Sequence, residues 1–142
     1  KALTEHNLPV NENYLYRIKV KGKRGDYMSG YDVGMEFGKR SDRPRAMFIY
    51  NDLSALGFID ALDNFGLKVP EDVAIIGFDD IAGDITVKNR LSSVHQPTNK
   101  IGKLAVKNLL KMINGESVDP TNKRILKPKL VVRESSGAKK NS

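Results

Sequence analysis

Hydrophobic residues occur along this chain in two alternating patterns. Continuous apolar runs of strand length, RAMFIY at 45–50 and VAIIGF at 73–78, are typical of strands buried on both faces of a parallel sheet. Between such runs, apolar residues recur at the spacing of an amphipathic helix. The predicted strands span 14–20, 45–50, 73–78, 91–95 and 129–133, and the predicted helices span 26–39, 53–65 and 98–113.

Polar and glycine residues mark the ends of the predicted helices. Asp26 and Thr98 can cap the helices that follow them. Gly66 and Gly115 stand where a helix commonly ends in a left-handed residue. Residues 1–7 are typical of the last turns of a helix that lacks its N-cap, so we expect that the chain begins inside an element.

The alternation of strands and helices predicts the fold class. Strands that alternate with helices form βαβ units, and their right-handed crossovers produce a parallel sheet. We therefore expect an α/β protein, a three-layer αβα arrangement around a mainly parallel sheet. The length of 142 residues predicts one domain, which can bury a core without disulfides or a metal.

The charge of the chain is unevenly distributed. There are 24 basic and 17 acidic side chains, a formal net charge of +7. Residues 1–50 contain 10 basic and 6 acidic groups, residues 51–90 contain 3 and 8, and residues 91–142 contain 11 and 3. A basic chain can bind nucleic acid. We favour a solvated, lysine-rich surface, because the acidic middle interrupts any continuous phosphate-binding face.

The sequence excludes several classes of site. It has no Cys, which excludes disulfides, thiolate zinc sites and a Cys nucleophile. His6 and His95 are far apart in the sequence, so we expect no metal and no cofactor. No Ser has the flanks of a nucleophile elbow, and we do not expect an enzyme. No apolar run approaches the ~18–20 residues that span a bilayer. We expect a cytoplasmic protein without a membrane partner.

Polar residues follow two of the buried strands at their carboxyl ends. Asn51-Asp52 follows RAMFIY, and Asp79-Asp80 follows VAIIGF. In an open α/β sheet, ligands bind beyond these strand ends, where carboxylates and amides can bond to hydroxyls and amines. Asp and Asn are also common helix caps. Capping is the favoured interpretation for Asp52 and Asp80, whereas capping and ligand binding both remain open for Asn51 and Asp79.

The predicted helix 98–113 is strongly amphipathic. Lysines at 100, 103, 107 and 111 lie opposite an apolar stripe. The stripe consists of Ile101, Leu104, Ala105, Leu109, Met112 and Ile113. We favour a helix that faces a core and exposes its lysines. A helix on a membrane or nucleic-acid surface is the alternative, and the lack of a Trp or Phe anchor weakens the membrane case.

Three stretches resemble the effector-binding domain of LacI/GalR-type bacterial transcription regulators. They are RPRAMFIYNDLSALGFIDALDNFGLKVPEDVAIIGFDD, LSSVHQPTNKIGKLAVKNLL and LVVRESS, in family order and spacing across residues 43–135. The resemblance implies a type I periplasmic-binding-protein-like domain of two α/β lobes. A small effector, often a sugar or a nucleobase, binds in the cleft of such domains. The resemblance also implies dimerisation through this domain and a separate helix-turn-helix at the N-terminus.

The same resemblance implies which residues contact the effector. They are the Asn of the strand-end ND, Asn51, the first Asp of GFDD, Asp79, and the Gln of the crossover segment, Gln96. The resemblance implies no catalytic residue, no metal and no cofactor.

The chain departs from the family pattern in its length. The resemblance implies that residues 1–90 and 124–136 form the C-terminal lobe. The polar composition of residues 137–142 predicts a disordered tail. Residues 91–123 would be a hinge crossover and one helix of an incomplete N-terminal lobe, and DNA would be contacted only through the missing N-terminal segment. We expect the apolar stripe of helix 98–113 to be covered by a second copy, by domain swapping or by refolding onto the lobe.

Two other functions remain open. A transport-type periplasmic sugar-binding protein has the same fold, and a signal peptide upstream would indicate it. Direct DNA binding by the lysines would appear as salt-dependent affinity for a duplex. The GFDD and LVVRESS stretches favour the regulator.

Overall fold

The computed structural model describes residues 2–17, 25–81, 91–118 and 124–138. In chain order the helices and strands are α1 (Ala2–Glu5), α2 (Asp26–Gly38), β1 (Ala46–Phe48), α3 (Asp52–Leu62), β2 (Ala74–Asp79), β3 (Ser92–His95), α4 (Thr98–Ile113) and β4 (Lys129–Val131). Single 3₁₀ turns lie at Glu12–Tyr14, Asp63–Phe65 and Glu134–Ser136.

The sheet runs in the order β1-β2-β3-β4. β1 and β2 are parallel, with Phe48 opposite Ile76, and β2 and β3 are parallel, with Asp79 opposite His95. β4 returns antiparallel to β3, with Lys129 opposite His95. The prediction of an α/β fold around a mainly parallel sheet is confirmed.

The core lies between β2 and the helix pair α2–α3. Phe37 of α2 and Phe58 of α3 meet edge to face, with ring centroids 5.1 Å apart. Both side chains are 1% exposed, and Ile75 of β2 is fully buried with them. Leu62, Val73 and Leu91 complete the largest buried side chains of this core. The apolar runs therefore form one core, as the periodicity predicts.

The prediction that strand 45–50 is buried on both faces is wrong for β1. Phe48 is 64% exposed, and it shares with Ile76 and Phe78 the sheet face opposite to buried Ile75. α3 covers the face of Ile75, so the apolar side chains of the opposite face have no described helix against them.

The predicted strand 14–20 is not formed where the structure can be compared with it. Tyr14 ends a 3₁₀ turn, residues 15–17 belong to no strand, and residues 18–20 lie outside the described residues. The Arg40 guanidinium lies over the ring of Tyr14, 5.6 Å from its centroid, and donates to the Asn13 carbonyl. These contacts hold the segment against the end of α2 instead of in the sheet.

Two predicted caps are also wrong. The N-cap of α2 is Gly25 and that of α4 is Pro97, so Asp26 and Thr98 are the first helical residues instead. Gly66 (φ 64°) is left-handed after the 3₁₀ turn that follows α3, and Gly115 (φ 73°) lies just beyond α4. These two glycines occupy the turn positions that the sequence indicates.

Candidate functional site

The carboxyl ends of β1, β2 and β3 meet at one edge of the sheet. β1 and β2 pair with an offset of 28 positions (76 − 48), and the same offset relates Asn51 to Asp79. Asp79 lies opposite His95 at the end of β3, and Gln96 follows directly. The fold thus brings all three predicted effector-contacting residues to neighbouring strand ends.

Asn51 caps α3 with one half of its amide. Its Oδ1 accepts from the Ser54 backbone N–H at 2.8 Å, and its Nδ2 donates to Asp26 Oδ2 at 2.9 Å. The capping interpretation of Asn51 is therefore correct. It does not exclude ligand binding, because an amide nitrogen carries two hydrogens and only one of them points at Asp26.

Asp26 and Tyr50 extend this part of the edge. The Tyr50 hydroxyl donates to Asp26 Oδ1 at 2.7 Å, so both carboxylate oxygens of Asp26 are engaged. Burial raises the pKa of the Tyr50 phenol, and the hydrogen bond to the Asp26 carboxylate adds to that increase. Sequence reasoning treated Asp26 only as a cap and missed its contact with Asn51, which is 25 residues away.

Asp79 is held by Gln96 at the end of β2. Gln96 Nε2 donates to Asp79 Oδ1 at 2.6 Å. Asp79 has φ 103° and Asp80 has φ 58°, values that residues with a side chain seldom adopt. Such a backbone persists only where its surroundings hold it. The surroundings of the strand end therefore hold the backbone in a conformation that directs the Asp79 carboxylate towards Gln96.

Asp80 is bound by side chains of β3 and of the segment after β4. Its Oδ1 accepts from Arg133 Nη2 at 2.8 Å, and its Oδ2 lies 3.1 Å from His95 Nδ1. Its backbone N–H donates to Ser93 Oγ at 3.0 Å. The carboxylate thus forms an ion pair with Arg133. The residues that Asp80 would cap, from 82 onwards, lie outside the described residues, so its capping role stays a prediction.

Asp52, the first residue of α3, binds the same strand end through hydrogen bonds to its buried carboxylate. It is fully buried, accepting from Ser93 Oγ at 2.6 Å and from the Ile81 backbone N–H at 2.8 Å. The predicted capping of α3 by Asp52 is wrong, because Asn51 holds that position. A Cβ on Gly77 would lie 2.3 Å from Asp52 Oδ1, so only glycine leaves room for this buried carboxylate.

Three hollows of the described surface lie along α4 and beside the end of β1. Grooves of about 590 and 650 Å³ run along α4, and an apolar hollow of about 420 Å³ lies beside Tyr50 and Met47. Asn51, Asp79 and Gln96 line none of these three. All three are only half-buried. Asn51, Asp79 and Gln96 therefore form an open polar surface, which we call the wall, that can form hydrogen bonds with a ligand.

Two further features of the described residues bear on function. No three His, Cys, Asp or Glu side chains of these segments lie together in a way that could hold a metal ion. Within the same segments, no helix is both long enough and apolar enough to cross a membrane.

The chain is similar to a known domain family and to several known proteins. The periplasmic binding protein-like domain matches residues 1–136. The transcriptional repressor PurR of Yersinia pestis is 35% identical over 137 residues, which are 95% of this chain and 38% of PurR. A LacI-family regulator of Lactobacillus casei, solved with bound sucrose, is 30% identical with a TM-score of 0.74 and covers 94% of this chain. A LacI-family regulator of Sanguibacter keddieii is 32% identical with a TM-score of 0.81 and covers 96%.

The chain is shorter than these relatives. It spans 38% of PurR, 47% of the Lactobacillus casei chain and 49% of the Sanguibacter keddieii chain. The matches nevertheless run through almost all of this sequence, and they include the strand ends described above. The chain therefore belongs to the periplasmic binding protein-like domain family, in the form found as the effector-binding domain of LacI-family transcriptional regulators.

Proposed function

We propose that this chain is the effector-sensing part of a bacterial LacI-type regulator. A small polar molecule, of which a sugar is the best candidate, binds in a cleft between two lobes and controls DNA binding by a helix-turn-helix outside this chain. The observation that carries the proposal is the grouping of Asn51, Asp79 and Gln96 at one sheet edge. One similar regulator, from Lactobacillus casei, was solved with sucrose and with glucose, which supports a sugar, and a nucleobase is the second candidate.

The division into lobes follows the path of the chain. Residues 1–90 and 124–136 form one lobe, and 91–123 cross from it, beginning with β3 in its sheet, to one helix of the other lobe. This division is supported by β3 and β4, which lie side by side in opposite directions and carry the chain out of the sheet and back. It is also supported by α4, which buries none of its residues among the described elements.

The strand ends can bond to a polar ligand through several atoms. Asn51 retains an amide hydrogen as a donor, and Asp79 keeps Oδ2 free of hydrogen bonds from the described residues. Gln96 Oε1 is an acceptor beside it. A ligand that bonds to this wall and to a facing lobe favours the closed arrangement over the open one. The relative angle of the lobes then sets the spacing of paired DNA-binding domains.

The regulator is preferred over the transport protein because the similar proteins are regulators. We propose that the full protein acts as a cytoplasmic homodimer and has no catalytic activity. The lysines of α4 lie on a helix outside the sheet, so DNA contact through them would be unrelated to the strand ends.

The test is ligand binding by matched variants. Thermal-shift screening of sugars and nucleobases against the chain identifies a ligand, since binding raises stability by mass action. Asp79→Asn should then raise the dissociation constant by about 10- to 100-fold, because a hydrogen bond to a charged group contributes about 1.5–3 kcal/mol. Asp63→Asn, the same charge change at the exposed far end of α3, should bind as the wild type does. Equal affinity of Asp79→Asn and wild type would refute the site.

A further inference from the structure

Asp26 is the first residue of α2, yet both of its oxygens point at the strand end of β1. Oδ2 accepts from Asn51 Nδ2 at 2.9 Å, and Oδ1 accepts from the Tyr50 hydroxyl at 2.7 Å. The Ser54 hydroxyl donates to the Asp26 backbone carbonyl at 2.9 Å. Three contacts therefore fix this residue to the end of β1 and the first turn of α3.

These contacts determine which atoms of Asn51 face outwards. The Asn51 Oδ1 is used by the Ser54 backbone N–H, and one Nδ2 hydrogen is used by Asp26. The amide cannot flip without placing Oδ1 against the Asp26 carboxylate, which would oppose two acceptors. The remaining Nδ2 hydrogen is therefore the donor that Asn51 offers to a ligand, and Oδ1 keeps one lone pair as an acceptor.

Among the described residues, no cationic side chain bonds to Asp26 or Asp79. Asp26 and Asp79 both accept hydrogen bonds from neutral groups, namely Tyr50, Asn51 and Gln96. Arg133 and His95 both contact Asp80 beside this edge. An anion placed against this wall would meet two carboxylates without a described cation to offset them, and the repulsion acts where water is displaced.

We propose that Asp26 is a positioning and specificity residue of the effector site: it orients Asn51 and excludes anionic ligands. The ligand class is then neutral or cationic and rich in hydroxyl or amine hydrogens, and phosphorylated or carboxylated analogues are rejected. This inference rests on the proposed function, because it concerns the same strand-end site.

The experiment compares ligand pairs that differ by one phosphate. Glucose with glucose 6-phosphate, and adenosine with its 5′-monophosphate, are titrated into ¹⁵N-labelled chain, and the side-chain amide signals of Asn51 and Gln96 are followed. We expect the uncharged member of the binding pair to bind at least about tenfold more tightly than the phosphorylated one. In Asp26→Asn, which keeps the size of the side chain, the preference should fall to about threefold or less.

Matched variants separate this role from a structural one. The ratio of two dissociation constants within one variant does not depend on the folded fraction, so partial unfolding of Asp26→Asn cannot imitate the result. The Asn51 amide signals should also shift in Asp26→Asn before any ligand is added. Asp63→Asn makes the same charge change about 18 Å along α3 from Asn51, at about 1.5 Å per residue, and should keep the wild-type preference.

The possible outcomes are distinct. Uncharged ligands that perturb Asn51 and Gln96 without any preference over their phosphorylated partners would overturn the inference and leave the proposed site standing. An unchanged preference in Asp26→Asn would overturn the role of Asp26. If none of the four ligands perturbs either amide, the proposed function fails together with the inference.

Discussion

Gly30 and Gly57 allow α2 and α3 to touch through their backbones. A Cβ built on Gly30 would lie 1.9 Å from the Ser54 carbonyl oxygen, and one on Gly57 would lie 2.0 Å from that of Tyr27. The obstacle is backbone in both cases, so no side-chain rotation can relieve it. The spacing of the two helices, and with it the distance from Asp26 to Asn51, depends on these missing methyl groups.

Gly30→Ala should therefore destabilise the chain. We expect the free energy of unfolding to fall by at least about 2 kcal/mol, since overpacking a close contact commonly costs 1–3 kcal/mol and here the backbone must move. Urea unfolding followed by circular dichroism measures the change. Gly102→Ala is the control: this α4 position has nothing within 4 Å, so alanine should leave stability unchanged or raise it by up to about 1 kcal/mol. Equal unfolding midpoints of Gly30→Ala and wild type would contradict the account.

At the scale of elements, the end of β2 is held by residues of α3, of β3 and of the segment after β4. Ser93 of β3 connects Asp52 to the Asp80 backbone, and Arg133 binds Asp80 while donating to the Leu91 carbonyl at 2.7 Å. The positive φ angles of Asp79 and Asp80 require such support. Arg133 is thus the residue through which the segment after β4 holds Asp80, the neighbour of Asp79.

Arg133→Met should loosen this strand end. The ion pair is 22% and 14% exposed on its two sides, so we expect a loss of about 1–3 kcal/mol in the free energy of unfolding, less than for a fully buried pair. The backbone amide signals of Asp79 and Asp80 should shift or broaden in NMR spectra. The control Lys111→Met removes an exposed partner of Glu116 at 3.8 Å and should change stability by less than about 0.5 kcal/mol. Sharp, unshifted Asp79 and Asp80 signals in Arg133→Met would show that Arg133 does not hold them.

The hydrophobic pattern predicts the elements well and the polar contacts poorly. The central residues of β1, β2, β3 and α4 lie inside their predicted ranges, because the spacing of apolar residues depends only on neighbouring positions in the sequence. The bonds from Asp26 to Asn51 and from Arg133 to Asp80 join residues 25 and 53 positions apart, so they exist only after the sheet has formed. The left-handed backbone of Asp79 and Asp80 is likewise imposed by tertiary contacts, since neither is a glycine.

At the scale of the whole molecule, α4 is the least integrated part. None of its residues is buried, and Leu109, Met112 and Ile113 are 55%, 62% and 69% exposed. Its lysines occupy the opposite side, as the sequence indicates. An exposed apolar stripe of this length is unfavourable in water, so the expectation that it becomes covered stays a prediction.

We expect the isolated chain to self-associate through this stripe. Sedimentation velocity should show a dimer whose fraction rises with concentration, and the double variant Leu109→Lys, Ile113→Lys should be monomeric, because charges cannot be buried there without partners. Lys107→Met, on the polar side of α4, is the control and should associate like the wild type. A wild-type chain that stays monomeric at high micromolar concentration, with the stripe exposed to water, would refute self-association through α4.

The antiparallel pair β3–β4 has a consequence for engineering. The chain leaves the sheet after His95 and comes back at Lys129, and these two residues lie opposite each other. Neighbouring antiparallel strands can be joined by a tight two-residue turn. The segment between His95 and Lys129, which contains α4, can therefore be removed without changing the strand order of the sheet. We expect that a short hairpin turn in its place would give a smaller protein in which β3 and β4 are joined directly.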